Sequence, residues 1–224
     1  MKLGTIRNGS RDGALALVSR DLLWALVVDH GIARHMQDAL ERWEAVSPLL
    51  ERLYKELNAG VNSNAVPFVD CIWESPLPRS YQWADCSAYV NHVVLVRKAR
   101  GAEIPDDFWV DPLIYQGGSD YFLGPTDDIV VLDEGWGLDF EGEVAVITDD
   151  VPVNVDEESA LTHIKLITLV NDISNLEEKI SKHTLQLESL TSELETVQHV
   201  ARRGTTLSKL LLLSHFILVA FCSR

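Results

Sequence analysis

Phe140-Glu141-Gly142-Glu143-Val144-Ala145-Val146-Ile147 sets two carboxylates one residue apart inside an apolar strand. Side chains at i and i+2 of a strand leave the same face, so Glu141 and Glu143 point together. That face continues into Ala145 and Ile147, while Phe140, Gly142, Val144 and Val146 line the other, so both faces read as partly buried. Two like charges in a half-buried place are costly unless a cation or a proton neutralises them. A divalent metal site is one reading. The other is a solvated edge strand carrying two surface glutamates.

The surroundings bear on that choice. Between Gly101 and Ile164 the chain carries 17 Asp or Glu residues and no Lys or Arg, and the formal net charge of the whole is −15. Hard cations such as Mg²⁺, Ca²⁺ or Mn²⁺ prefer clustered carboxylate oxygens. Acidity of this kind also serves solubility alone. Nucleic acid is not expected as a partner, because phosphate binding needs basic patches that this region lacks.

With 224 residues, 46% of them hydrophobic and 24% charged, the chain has the make-up of a soluble globular protein in one or two domains. Met1–Gly9 carries no apolar signal-peptide core. Cys71, Cys86 and Cys222 lie far apart without CxxC spacing, which fits a reducing compartment and argues against zinc or a disulfide frame. A cytoplasmic protein is expected.

Lys2–Ile6 and Ala14–Val18 flank a turn-rich segment and predict a hairpin, with a third strand at Trp24–Asp29. Helical periodicity runs from Ile32 to Ala59, with an interruption predicted at Ser47-Pro48 and an end at Gly60. Pro67, Pro76 and Pro78 mark a domain boundary. Ser87–Arg100 reads as a helix opened by Asp85 as its N-cap. Strands are predicted at Leu113–Gln116, Ile129–Leu132, Phe140–Thr148 and Ile164–Asn171, with a short helix at Asp156–Thr162. Hairpins and helices without βαβ alternation predict the α+β class.

From Leu176 to Ala201 apolar residues recur at heptad-like spacing, which predicts an amphipathic helix. Leu207–Cys222 is apolar but broken by Lys209, Ser214 and His215. A spanning helix needs ~20 apolar residues, so membrane contact by this tail is not expected.

His92 follows Asp85 by seven residues, two turns of a helix, and so falls on nearly the same face. Asp172 ends the apolar run Ile164–Asn171. Capping, a structural histidine and ordinary Asn-Asp turn chemistry account for these residues equally well.

Asp85 with His92, Tyr115-Gln116-Gly117-Gly118-Ser119, Phe140-Glu141-Gly142-Glu143 and Leu169-Val170-Asn171-Asp172-Ile173-Ser174 together resemble, in order, the motifs of the fumarylacetoacetate hydrolase family. The resemblance covers Met1 to Ser174. It implies that Asp85, Glu141, Glu143 and Asp172 are metal-binding carboxylates holding Mg²⁺ or Ca²⁺, with Mn²⁺ as a further option. It implies that His92 is a general base activating water to cleave a carbon–carbon bond, and that Tyr115 and Arg97 contact the substrate, Arg97 by a match one helical turn out of place. The implied substrate is a small oxo-acid of the fumarylacetoacetate or acylpyruvate type, as in aromatic amino acid catabolism, and a homodimer is expected. Related members decarboxylate, hydrate or isomerise such acids.

The implied architecture is a small β/α domain over residues 1–77, a partial mixed β-roll over residues 78–174 as an incomplete catalytic domain, and a helical tail over residues 175–224. After Ser174 the family's arginine segment, lysine-bearing glycine-rich loop and histidine-orienting glutamate are not recognisable. The chain therefore reads as a truncated member in which catalysis is not assured. The alternative is a non-catalytic interaction protein that pairs through the helix at Leu176–Ala201.

Overall fold

Strands β1 (Leu3–Ile6) and β2 (Ala14–Val18) form the predicted antiparallel hairpin, with Leu3 opposite Leu17 and Ile6 opposite Ala14. Gly13 closes its turn at φ +61°, where a Cβ would meet the Thr5 methyl at 2.4 Å, so glycine is required there. This computed structural model describes residues 1–175 except Ala88, Arg100, Ala102, Asp111, Pro112 and Ser119, together with residues 215–217.

All five residues of β2 are buried, which fits its central place in the sheet. Strands β3 (Trp24–Val27), β4 (Val66–Pro67) and β5 (Trp73–Glu74) complete the order β4-β3-β2-β1-β5, and all the neighbours are antiparallel.

Helices α1 (Met36–Glu41) and α2 (Trp43–Asn58) cover this sheet. The break between them lies at Arg42 and not at Ser47-Pro48. Asp38 accepts from Arg42 Nε at 2.9 Å, and the same guanidinium donates to the Ile32 carbonyl at 2.7 Å. Arg42 takes a non-helical φ of −125° and ψ of 29°. Pro48 costs α2 one hydrogen bond, but it is exposed while Val46, Leu50 and Leu57 are buried, and that apolar face carries the helix through. Gly60, at φ +70°, follows the helix end as predicted.

Beyond the proline-rich segment, β6 (Ala84–Cys86) pairs antiparallel with β7 (Ile114–Gln116), and α3 (Val90–Ala99) lies between them in the chain. Asp85 therefore sits in a strand and does not cap a helix. β8 (Leu138–Thr148) and β9 (Ile164–Asn175) make a long antiparallel pair, joined through α4 (Glu157–Thr162) with Asp156 as its N-cap. β10 (His215–Ile217) lies parallel to β8 on its other edge.

The strand expected at Ile129–Leu132 does not form. Val130 and Leu132 are 86% and 90% exposed, and β-branched composition makes no strand without a partner edge. The second face of β8 is also more open than expected at one end, where Phe140 is 73% exposed.

One core joins both halves. Leu15, Leu17, Val28, Met36 and Leu50 share a buried cluster with Ala145 and Ile147, and Leu166 and Val170 pack against it. No helix among the described residues is long and apolar enough to cross a membrane. The heptad-like helix at Leu176–Ala201 and most of Leu207–Cys222 lie outside the described residues.

Candidate metal centre

The β8–β9 register sets Glu141 directly opposite Asp172 and Glu143 opposite Val170. Paired positions share a face, so Glu141, Glu143 and Asp172 gather on the side of the sheet whose far end enters the core at Ala145 and Ile147. One carboxylate oxygen from each of the three lies within 4.8 Å of the others. Asp172 stands within β9, one residue past the predicted strand end, because β9 runs on to Asn175. Asn171 Oδ1 accepts from the Glu141 N–H at 3.2 Å and ties the two strands beside the cluster.

Burial falls off from Glu143 outward. Glu143 is 7% exposed, Glu141 is half-buried and Asp172 is exposed. Oε2 of Glu143 is buried and has no hydrogen-bond partner among the described residues. A buried anionic oxygen without a donor is costly, and a cation or a proton removes the cost. Burial first, then the charges of Asp172, Asp85 and Glu141, push the Glu143 carboxyl up to about 8.

Asp85 is raised by its own burial and by Asp172 and Glu141, so it belongs to the same electrostatic neighbourhood from a separate sheet. It stands outside the group of three that shares the 4.8 Å radius. The residues present fit a hard divalent cation: the donors are all oxygens, and the deepest of them lacks a proton donor.

Tyr115 lies opposite Asp85 in the β6–β7 pair and is 62% exposed. The aromatic edge of Trp83 meets it at 5.9 Å between ring centroids. His92 belongs to α3, on a different element from Asp85, so their shared helical face does not exist; the His92 side chain is not among those described. Arg97 is half-buried in the last turn of the same helix. Trp83 escaped the sequence reading, although its place two residues before Asp85 put it on the same strand face.

Some of the acidic surplus is balanced from outside the block. Arg7 pairs with Asp127 at 2.7 Å and with Glu74, and Lys165 pairs with Asp149 at 3.0 Å.

The scaffold concentrates three carboxylates on one half-buried strand pair. The match to known families is more specific. Residues 82–202 match the fumarylacetoacetate (FAA) hydrolase C-terminal domain, and residues 1–79 match fumarylacetoacetase N-terminal domain 2. The chain belongs to the fumarylacetoacetate hydrolase family. The match runs to residue 202, beyond Ser174, where the motif resemblance stops. Oxaloacetate tautomerase fahd2, mitochondrial, of Xenopus laevis is 28% identical over 76 residues, 34% of this chain and 24% of that protein. The aligned stretch thus spans about a quarter of the length of that relative.

Proposed function

We propose that this chain is a divalent-metal-dependent enzyme of small oxo-acids, cleaving a carbon–carbon bond in 1,3-dicarbonyl acids of the fumarylacetoacetate or acylpyruvate type. The observation that carries the reading is the buried Glu143 carboxylate, with an unpartnered oxygen, grouped with Glu141 and Asp172 within 4.8 Å. In this reading Glu141, Glu143 and Asp172 hold Mg²⁺ or Ca²⁺, and Asp85 completes the acidic ring. The bound ion supplies Lewis-acid polarisation of a substrate oxygen and a template for its orientation.

The chain's own groups do the rest. His92, as general base, takes a proton from water as its oxygen bonds to a carbonyl carbon; the adjacent carbon–carbon bond then breaks, one fragment leaving as a carboxylic acid and the other as an enolate that takes the proton back from His92. Tyr115 lines the open side of the site, and Arg97 offers a guanidinium for a substrate carboxylate. The protein acts as a homodimer in this reading.

A second reading, tautomerisation of an oxo-acid, is favoured by the stretch similar to an oxaloacetate tautomerase. It needs the same carboxylates and a proton carrier but no water attack. Two assays on the full chain separate the readings: loss of acylpyruvate with release of pyruvate, and enol-to-ketone relaxation of oxaloacetate. Both are run with Mg²⁺ and with chelator. Activity that is indifferent to chelator, or calorimetry showing no Mg²⁺, Ca²⁺ or Mn²⁺ binding, would overturn the metal-dependent reading.

A further inference from the structure

Trp83 stands immediately before β6 and two residues from Asp85, so its side chain leaves on the face that carries Asp85 and Tyr115. Its backbone carbonyl accepts from the Gly117 N–H at 3.1 Å, which extends the β6–β7 ladder by one step. Its indole Nε1–H donates to the Gly118 carbonyl at 2.5 Å. The ring lies where a side chain at Gly117 would be: an added Cβ would come within 1.7 Å of the indole carbon Cζ2. Only glycine permits this approach.

Two further aromatic contacts fix the ring. Trp83 meets Tyr115 edge-on at 5.9 Å and 70°, and Phe122 edge-on at 5.6 Å and 62°. Edge-to-face pairs of this kind hold an orientation as well as burying area. Trp83 and Phe122 both pack against the central hydrophobic cluster, and the Phe122 N–H donates to the Pro78 carbonyl at 2.9 Å. The indole is therefore anchored from the core side and presses outward on the turn after β7.

We propose that Trp83 is a positioning residue of the site, whose indole clamps the Gly117–Gly118 turn and so holds Tyr115 opposite Asp85. This rests on the reading of the site as one for an oxo-acid bound beside a divalent ion. The indole's hydrogen bond and ring contacts described above go to Gly118, Tyr115 and Phe122, and not to the clustered carboxylates. Its loss acts on how substrate is held and leaves ion binding alone.

The test uses the full chain and two variants, Trp83→Phe and Gly117→Ala. The first keeps the aromatic edges and removes the indole donor; the second drives the ring off the turn. Mg²⁺ alone, and oxalate in the presence of Mg²⁺ as a stand-in for an oxo-acid, are titrated by calorimetry. Amide exchange over residues 113–118 is followed by mass spectrometry.

The expected result is exchange over 113–118 faster by about fivefold or more, and oxalate affinity weaker by about fivefold or more, in both variants. Mg²⁺ affinity stays within about twofold of the parent, which a general loss of structure would not allow. Unchanged exchange in both variants overturns the clamp. A parallel fall in Mg²⁺ affinity overturns the positioning role in favour of a structural one. A parent chain that binds Mg²⁺ but no oxalate overturns the oxo-acid reading and Trp83's part in it, while the exchange result still shows whether the clamp exists.

Discussion

Glu141 and Asp172 face each other directly across the β8–β9 ladder. Two like charges at a paired position destabilise a sheet, and opposite charges or apolar pairs would serve folding better. One step further in on the same face, Glu143 stands opposite Val170 and sets a carboxylate under heavier burial. Local conflicts of this kind mark places where a sequence serves something other than the fold.

Glu143 makes the cation-free protein less stable as pH rises. Its folded-state carboxyl is raised from the ordinary 4.5 to about 8, so the folded form holds the proton more tightly than the unfolded chain. The stabilising contribution is complete below about pH 4.5 and is lost as pH climbs through about 8. Glu143→Gln therefore unfolds later than the parent at pH 8 without added cation, by more than about 1 kcal/mol in chemical denaturation. Near pH 4 the two coincide. Equal stability at both pH values would remove the electrostatic account.

Cation binding at this site expels that proton. Mg²⁺ or Ca²⁺ affinity is expected to rise between pH 6 and 8, by up to about tenfold per pH unit, and then to level off. Calorimetry in buffers of different ionisation heat reads the proton release directly.

Glu141→Gln and Asp172→Asn each lower cation affinity by at least about tenfold, since each removes a charged ligand. Glu157→Gln, on the exposed first turn of α4 in the same acidic stretch, changes it by less than about twofold. Equal effects at all three positions would mean that diffuse acidity, and not a site, attracts the ion.

Pro48→Ala stabilises the chain by about 1–3 kcal/mol in thermal or urea unfolding. The substitution restores an N–H donor to α2 at an exposed position and removes no buried contact. Ile147→Ala does the opposite and costs about 2–5 kcal/mol, because its side chain is 2% exposed in the common core.

Where local chemistry decides an element, the sequence is a good guide. The first hairpin, the glycine that ends α2 and the Asp156 cap all lie where turn and cap residues put them. The alternation in Phe140–Ile147 suffices to put Glu141 and Glu143 on one face, where the β8–β9 register also has them. The misreadings share a cause: they depended on partners distant in the chain. Asp85 resembles an N-cap until Tyr115 pairs with it as a strand neighbour. Pro48 resembles a break, yet α2 runs through it on its buried face and the chain leaves helix at Arg42 instead. Ile129–Leu132 has strand composition but no strand to join. Trp83 carries no motif at all, and only the missing side chain of Gly117 hints at what lies over it.

β8 enters the amino-terminal core at Ile147 and ends, on the same face, at the carboxylates. The spacing of those carboxylates is thus inherited from packing done by Leu15, Leu17 and Leu50, residues outside the acidic cluster. A lesion in the first hairpin would surface as a weakened affinity for metal, with every ligand still in the sequence.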